Sequence, residues 1–318
     1  MTAHHSRLPD FFIVGAMKAG TTTLYDCLRN HPDLYLPEEK EPYYFLWADA
    51  QAASRFRLPA GGRLIGADHW MLIRTETQYR RLFARAGDHE LIGEASTFYL
   101  PDPKVPMRIK HAQPNARIIA ILRDPVDRAY SAYCFQQSLG LEPAASFRAA
   151  IEAELRGERD EWLYGWRHLH CGRYASQVER YFRTFGEDRV LVLDFEDLKR
   201  NSREVARRVL NFLEVDADAE PADVPPSNVT ALPRSYALRQ LKFLFSRPNP
   251  IKDTAKHLLP RTARRQIREA VFQMVAKRSD PPPPLSTHDR AFLEDLFAPE
   301  RRRLASLVGA RFATWACA

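Results

Sequence analysis

Hydrophobic positions along the first two-thirds of the chain fall into two alternating textures. Short apolar runs read as strands: Phe11 to Gly15 (FFIVG), the segment ELIGEAS ending at Ser96, Ala116 to Arg123 (ARIIAILR) and the segment RVLVLDFEDL ending at Leu198. The third is a continuous apolar run, as burial on both faces requires. Between them lie segments of helical period. TTTLYDCLRN stops at His31 and Pro32, RYASQVERYFRTFG is closed by Gly186, and NSREVARRVLNFLEV has Asn201 or Ser202 as its cap. Asp124 and Pro125 supply an N-cap and a first-turn proline for a further helix through Tyr133. Strands alternating with helices predict an α/β fold: a central parallel sheet with helices on both faces. In such sheets ligands bind at the C-terminal ends of strands.

Less regular insertions, residues 46–90 and 139–172, interrupt this pattern. After Val215 a proline-rich connection leads into a mostly helical C-terminal subregion, broken by the tetraproline at residues 281–284. One domain over residues 1–318 is the economical reading: an α/β core over 10–215, then a covering loop and helical region over 216–318. The 318 residues, 45% hydrophobic and 27% charged, suffice for a sizeable core. No run reaches the ~18–20 consecutive apolar residues of a membrane span. The N-terminal stretch MTAHHSRLPDFF lacks the apolar centre of a secretory signal, so a cytoplasmic protein is expected. Cys27, Cys134, Cys171 and Cys317 have no metal-ligand spacing and read as reduced thiols.

Charge adds a regional feature. Residues 239–278 hold eleven Lys or Arg against Asp253 and Glu269, a net of +9 within a chain whose total is +7. Such a segment is a solvated helical face, or it rests on an anionic surface such as a membrane leaflet. Nucleic-acid binding has only this charge behind it and no recognition motif.

The chemistry starts at GAMKAGTT. Gly15 and Gly20 have the G-x-x-x-x-G spacing of a P-loop, placed between a strand and a helix. Backbone N–H groups of such a turn, with the helix dipole behind them, cradle an anion. In ATP- and GTP-binding loops a lysine follows the second glycine; here that place holds Thr21, and the lysine is Lys18, inside the loop. This arrangement resembles the 5′-phosphosulfate loop of sulfotransferases that use 3′-phosphoadenosine 5′-phosphosulfate (PAPS), in the carbohydrate-type branch shared by heparan sulfate enzymes and bacterial sulfotransferases. Its pattern Lys-x-Gly-Thr-Thr-x-Leu is met by Lys18, Gly20, Thr21, Thr22 and Leu24, with Ala19 between. Sulfuryl transfer builds negative charge on the oxygen bridging sulfur and the 5′-phosphate, which a mid-loop lysine can meet without a metal. A P-loop kinase is the rival enzyme, and an anion-binding module without catalysis the rival from another class.

The resemblance extends beyond one loop. ILRDPVDRAYSAY is similar to the family's 3′-phosphate element and implies Arg123 and Ser131 as its grips. In LPEEKEPYYF the residues themselves leave Glu38, Glu39 and Glu41 equivalent; the resemblance selects Glu41 as the general base and gives Lys40 a helping role. GEASTFYL is similar to an acceptor-site element, with Ala95 where heparan-type enzymes have lysine and Thr97 in place of proline. SNVTALPRSYALRQL implies Arg234, and Asn228 after it, as contacts covering the cofactor. Asp194, at an apolar strand end, mimics a magnesium-binding aspartate, but a capping role ranks first. The implied activity is PAPS-dependent sulfuryl transfer to a hydroxyl, or less readily an amine, of a small-molecule, glycan or lipid acceptor. Tyr43, Tyr44, Phe45, Trp47 and Trp70 are core aromatics by default, or else line the acceptor cleft.

Overall fold

In a computed structural model of the chain, the apolar runs become parallel strands. These are β1 (Phe11–Gly15), β3 (Leu91–Ala95), β4 (Arg117–Leu122) and β5 (Val190–Asp194), joined by the two-residue β2 (Leu34–Tyr35). β2 is too short to show any period. The structure describes residues 7–48, 56–59, 73–87, 91–216, 232–233, 238, 267, 270–271, 274–275, 279–309, 312 and 315. The sheet order is β2-β3-β1-β4-β5, so β1 lies between β3 and β4. Two short segments, β6 (Leu232–Pro233) and β7 (Ser279–Asp280), form a separate antiparallel pair.

The helices are α1 (Thr21–Arg29), α2 (Tyr44–Trp47), α3 (Glu76–Arg81), α4 (Val105–Ala112), α5 (Pro125–Ser138), α6 (Phe147–Leu155), α7 (Tyr174–Phe185), α8 (Phe195–Arg200), α9 (Ser202–Leu213) and α10 (Thr287–Val308). α1 packs with α9, while α7 packs with α4 and α10; α7 and α9 both lie against β5, which gives the expected helical layers. From Ile118 to Leu122, β4 is wholly buried between them, which explains its unbroken apolar run.

Helix starts follow the predicted chemistry. Asp124 accepts the N–H groups of Val126 and Asp127 at 3.0 Å, and Pro125 occupies the first turn of α5. Asn201, rather than Ser202, caps α9 by accepting Glu204 N–H. One expectation is corrected in part. RVLVLDFEDL splits, because the Asp194 side chain accepts Glu196 N–H and starts α8 where a strand was expected to continue.

The insertion at 139–172 is anchored by buried charge. Arg159 Nη2 lies 2.7 Å from Glu142 Oε1, and His168 Nε2 lies 3.2 Å from Glu142 Oε2. Cys27, Cys134 and Cys171 are buried reduced thiols; Cys317 lies outside the described residues.

Gly93 shows how closely β1 and β3 approach. A Cβ there would sit 2.1 Å from the Phe11 ring, its register partner. Gly93→Ala is expected to lower stability by about 1–3 kcal/mol through overpacking. Adding Phe11→Leu should recover part of that loss in urea-unfolding midpoints.

Candidate active site

Three neighbouring strand tips build the site. Beyond the strands the pairing continues: Ser96 N–H donates to Ile13 O (3.1 Å), Leu100 N–H to Val14 O (2.9 Å) and Ala16 N–H to Ile121 O (2.7 Å). The loops leaving β3, β1 and β4 therefore start side by side. The middle loop turns tightly, with Lys18 at φ 67° and Gly20 at φ 83°. Gly20 is required twice over: its backbone is left-handed, and a Cβ would meet Leu198 at 2.7 Å and Phe195 at 3.0 Å. The close approach is to α8. Ala19 is fully buried, its N–H donating to Ala16 O at 3.2 Å. No side chain caps α1, an open helix N-terminus of the kind that anions occupy.

Electrostatics sharpen the picture. The Lys18 ammonium lies 4.5 Å from the Phe135 ring centroid, and burial followed by Arg123 lowers its pKa from 10.5 to about 8, against the pull of Glu41. Arg123 stacks on Phe195 at 4.9 Å and donates from Nη1 to Lys18 O at 3.4 Å. Its Nε is buried with no hydrogen-bond partner. Two neighbouring cations and an orphaned donor fit a phosphate-bearing ligand. Thr21 and Thr22 accept from Lys40 Nζ at 3.3 and 2.8 Å, which leaves their hydroxyl hydrogens to point elsewhere. Arg123 and Ser131 line one cleft of about 430 Å³, whose far wall is Pro282, Pro283 and Pro284. Sequence spacing could not have paired Arg123 with Ser131; the β4–α5 turn does.

Glu41 stands apart from its acidic neighbours. Glu38 and Glu39 are exposed, and Glu38 pairs loosely with Arg29 at 3.7 Å. Glu41 is half-buried, donates its N–H to Ala95 O (2.9 Å) and accepts from Thr97 Oγ1 at 2.8 Å. Thr97, the departure from the family's proline, thus orients the candidate base. Glu41 and Tyr43 hold left-handed φ values of 61° and 52°, unfavourable for side-chain-bearing residues and sustained here by ties to β3. Tyr43 N–H donates to Ser96 Oγ and Phe45 N–H to Tyr99 Oη, each at 3.1 Å. Ser96 and Tyr99 in turn donate to Glu94 at 2.5 and 3.3 Å, and Tyr79 joins them there. Burial raises the Glu94 carboxyl to about 7 against these three hydrogen bonds.

Sequence reasoning missed this buried network. Its one signal was a glutamate inside an apolar strand. Tyr43, Phe45 and Trp47 are buried in the main core cluster, where Tyr43 stacks on Phe98 at 4.8 Å; Tyr44 is half-buried. Asp194 caps α8 and accepts from Trp315 Nε1 at 3.2 Å. Among the described residues no group of three or more His, Cys, Asp or Glu is placed to hold a metal, and no helix is long and apolar enough to cross a membrane. Trp70, Asn228 and Arg234 lie outside the described residues, as does nearly all of 239–278.

Comparison with known proteins gives the family. Residues 9–219 match the model of the sulfotransferase family. The chain belongs to that family. This sulfotransferase-family chain is similar over nearly its whole length to the crystal structure of a sulfotransferase from Alicyclobacillus acidocaldarius, with 30% identity, a TM-score of 0.69 and coverage of 95% of this chain and 96% of that one. It is 32% identical over 214 residues to human bifunctional heparan sulfate N-deacetylase/N-sulfotransferase 3, covering 66% of this chain and 22% of that protein. With human carbohydrate sulfotransferase 15 it shares 29% identity over 273 residues, covering 73% and 48%. The match thus spans between about a fifth and a half of these curated relatives' lengths.

Two predictions follow from the electrostatics. In the protein without bound nucleotide Lys18 loses its proton near pH 8, and an anion binds the ammonium. Affinity for adenosine 3′,5′-bisphosphate should therefore hold to pH 8 and then fall by about tenfold per pH unit. Lys18→Arg, charged throughout, should flatten the profile in calorimetric titrations. Glu94 titrates higher folded than at its ordinary 4.5, so the folded state binds the extra proton and stability drops as pH rises from 4.5 through about 7. Glu94→Gln should abolish this fall, on the order of 3 kcal/mol, in urea melts at pH 5 and 8.

Proposed function

We propose that the chain transfers the sulfuryl group of PAPS to a hydroxyl, and less readily an amine, of a carbohydrate, lipid or secondary-metabolite acceptor. The observation that carries this reading is the pairing of Lys18 with Arg123 at adjacent strand tips: a lysine whose charge is disfavoured by burial, beside an arginine whose buried Nε has no partner. PAPS supplies a sulfonate on a phosphate leaving group. Lys18, Gly20, Thr21, Thr22 and the N–H groups around Ala19 hold the 5′-phosphosulfate end, while Arg123 and Ser131 hold the 3′-phosphate in the adjoining cleft. Lys18 neutralises the charge that grows on the departing phosphate oxygen. Glu41, aimed by Thr97, takes the proton of the incoming hydroxyl as it attacks sulfur in line.

The acceptor class rests on the relatives, two of which are named for heparan sulfate and carbohydrate. Ala95, buried at the tip of β3, offers no cation where heparan-type enzymes have lysine, which favours a less charged acceptor.

Thermal shift tests the donor: adenosine 3′,5′-bisphosphate should raise the melting temperature and magnesium–ATP should not. The opposite ranking would favour a kinase. For the chemistry, Glu41→Gln should bind the bisphosphate within twofold of the parent yet lose about 10²–10⁴-fold in turnover with labelled PAPS. Turnover at the parental rate would remove Glu41 as the base.

A further inference from the structure

The cleft holding Arg123 and Ser131 has a second cation on its rim. Arg290, on the first turn of α10, lines the same cleft, 167 positions along the chain from Arg123. Opposite it, α5 presents Asp127, Tyr130, Ser131 and Cys134, one helical face by their spacing of three and four. Arg290 Nη2 donates to Asp127 Oδ1 at 2.6 Å, and its Nη1 lies 3.9 Å from Glu294. Both side chains of the Arg290–Asp127 pair are open to solvent, 37% and 38% exposed. Pairs of this exposure contribute little to stability.

Docking of α10 does not depend on that pair. Leu293 and Phe297 are buried in a cluster with Val126, Ala129 and Phe147. Arg301 pairs with Asp124 at 2.5 Å in near-complete burial. Tyr130 Oη donates to Pro283 O at 2.7 Å, and Ser286 caps the helix by accepting Asp289 N–H. Arg290 is therefore held at the cleft by neighbours, while its own partner is exchangeable. The stiff prolines before the helix have no N–H to offer, so they wall the cleft without competing for an anion.

We propose that Arg290 is a third grip for the terminal phosphate held by Arg123 and Ser131, with Asp127 serving as the counter-ion that the phosphate displaces. This rests on the PAPS reading above. A phosphate dianion is a stronger partner for a guanidinium fork than a half-exposed carboxylate. Arg123 and Arg290 against Asp127 leave the cleft one positive charge in excess, suited to a group that distinguishes a 3′-phosphorylated nucleotide from an unphosphorylated one. The C-terminal helix thereby becomes part of nucleotide selection.

The test is calorimetric titration of adenosine 3′,5′-bisphosphate and adenosine 5′-monophosphate into the parent, Arg290→Gln, Arg290→Lys and Asp127→Asn proteins. Arg290→Gln should weaken the bisphosphate at least tenfold and leave the monophosphate within twofold. Arg290→Lys should recover part of the loss, and Asp127→Asn should bind the bisphosphate as tightly as the parent or more so. Equal bisphosphate affinity in the parent and Arg290→Gln overturns the proposal, as does equal weakening of both nucleotides. If the parent itself fails to bind the bisphosphate, the PAPS reading falls and this inference with it. Should Arg290→Gln not fold, the Lys and Asn variants decide by the same two-nucleotide comparison.

Discussion

Arg123 donates to the Lys18 carbonyl where the loops leaving β1 and β4 meet, and its charge acts on the Lys18 ammonium. Burial first, and the repulsion of Arg123 second, lower the pKa of Lys18, and that repulsion is the tension in the site. The tension is built by topology. β1 and β4 are adjacent and parallel, so the loops leaving them are forced together whatever their sequences. Phe135 then covers one side of the Lys18 ammonium and Phe195 one face of the Arg123 guanidinium. A phosphate-bearing ligand relieves the repulsion, and the fold keeps that binding energy in reserve at one place.

The other side of β1 supplies the complementary part. β3 ends beside it, and residues 94–99 take hold of the loop carrying Glu41 through backbone N–H groups. Two left-handed residues in that loop are costly to maintain. The hydroxyls that hold them are themselves fixed by Glu94, a carboxyl with no exposed surface. Under the proposed reading, the candidate base Glu41 and the cation Lys18 thus come from loops held at two neighbouring strand tips. Rigidity here comes from hydrogen bonds to strands, which position a base better than a free loop does.

Closure of the cleft is a long-range matter. The Asp124 carboxylate caps α5 by accepting the N–H groups of Val126 and Asp127, and it also receives Arg301, 177 positions further along. Anchored by that contact and by Leu293 and Phe297, the C-terminal helix brings the prolines and Arg290 over the face of α5 that holds Ser131. One aspartate therefore starts a helix and holds the helix that covers the cleft.

The pattern of residues determined much by itself. An unbroken apolar β4, the cap at Asp124, the turn at Gly186 and the glycine-spaced loop after β1 each follow from local periodicity and backbone chemistry, which a single segment carries whole. The loop lysine was legible for the same reason. What local chemistry could not express was juxtaposition. Glu38, Glu39 and Glu41 are equivalent on the chain and become distinct only when Thr97, 56 positions from Glu41, donates to one of them. RVLVLDFEDL reads as one strand until the Asp194 side chain turns it into a helix cap. Glu94, Tyr79 and Tyr99 look like ordinary strand and loop residues, and the tetraproline looks like mere punctuation. Their roles arise from contacts between residues far apart in the chain, created when parallel strands are buried together, and only the tertiary structure decides those.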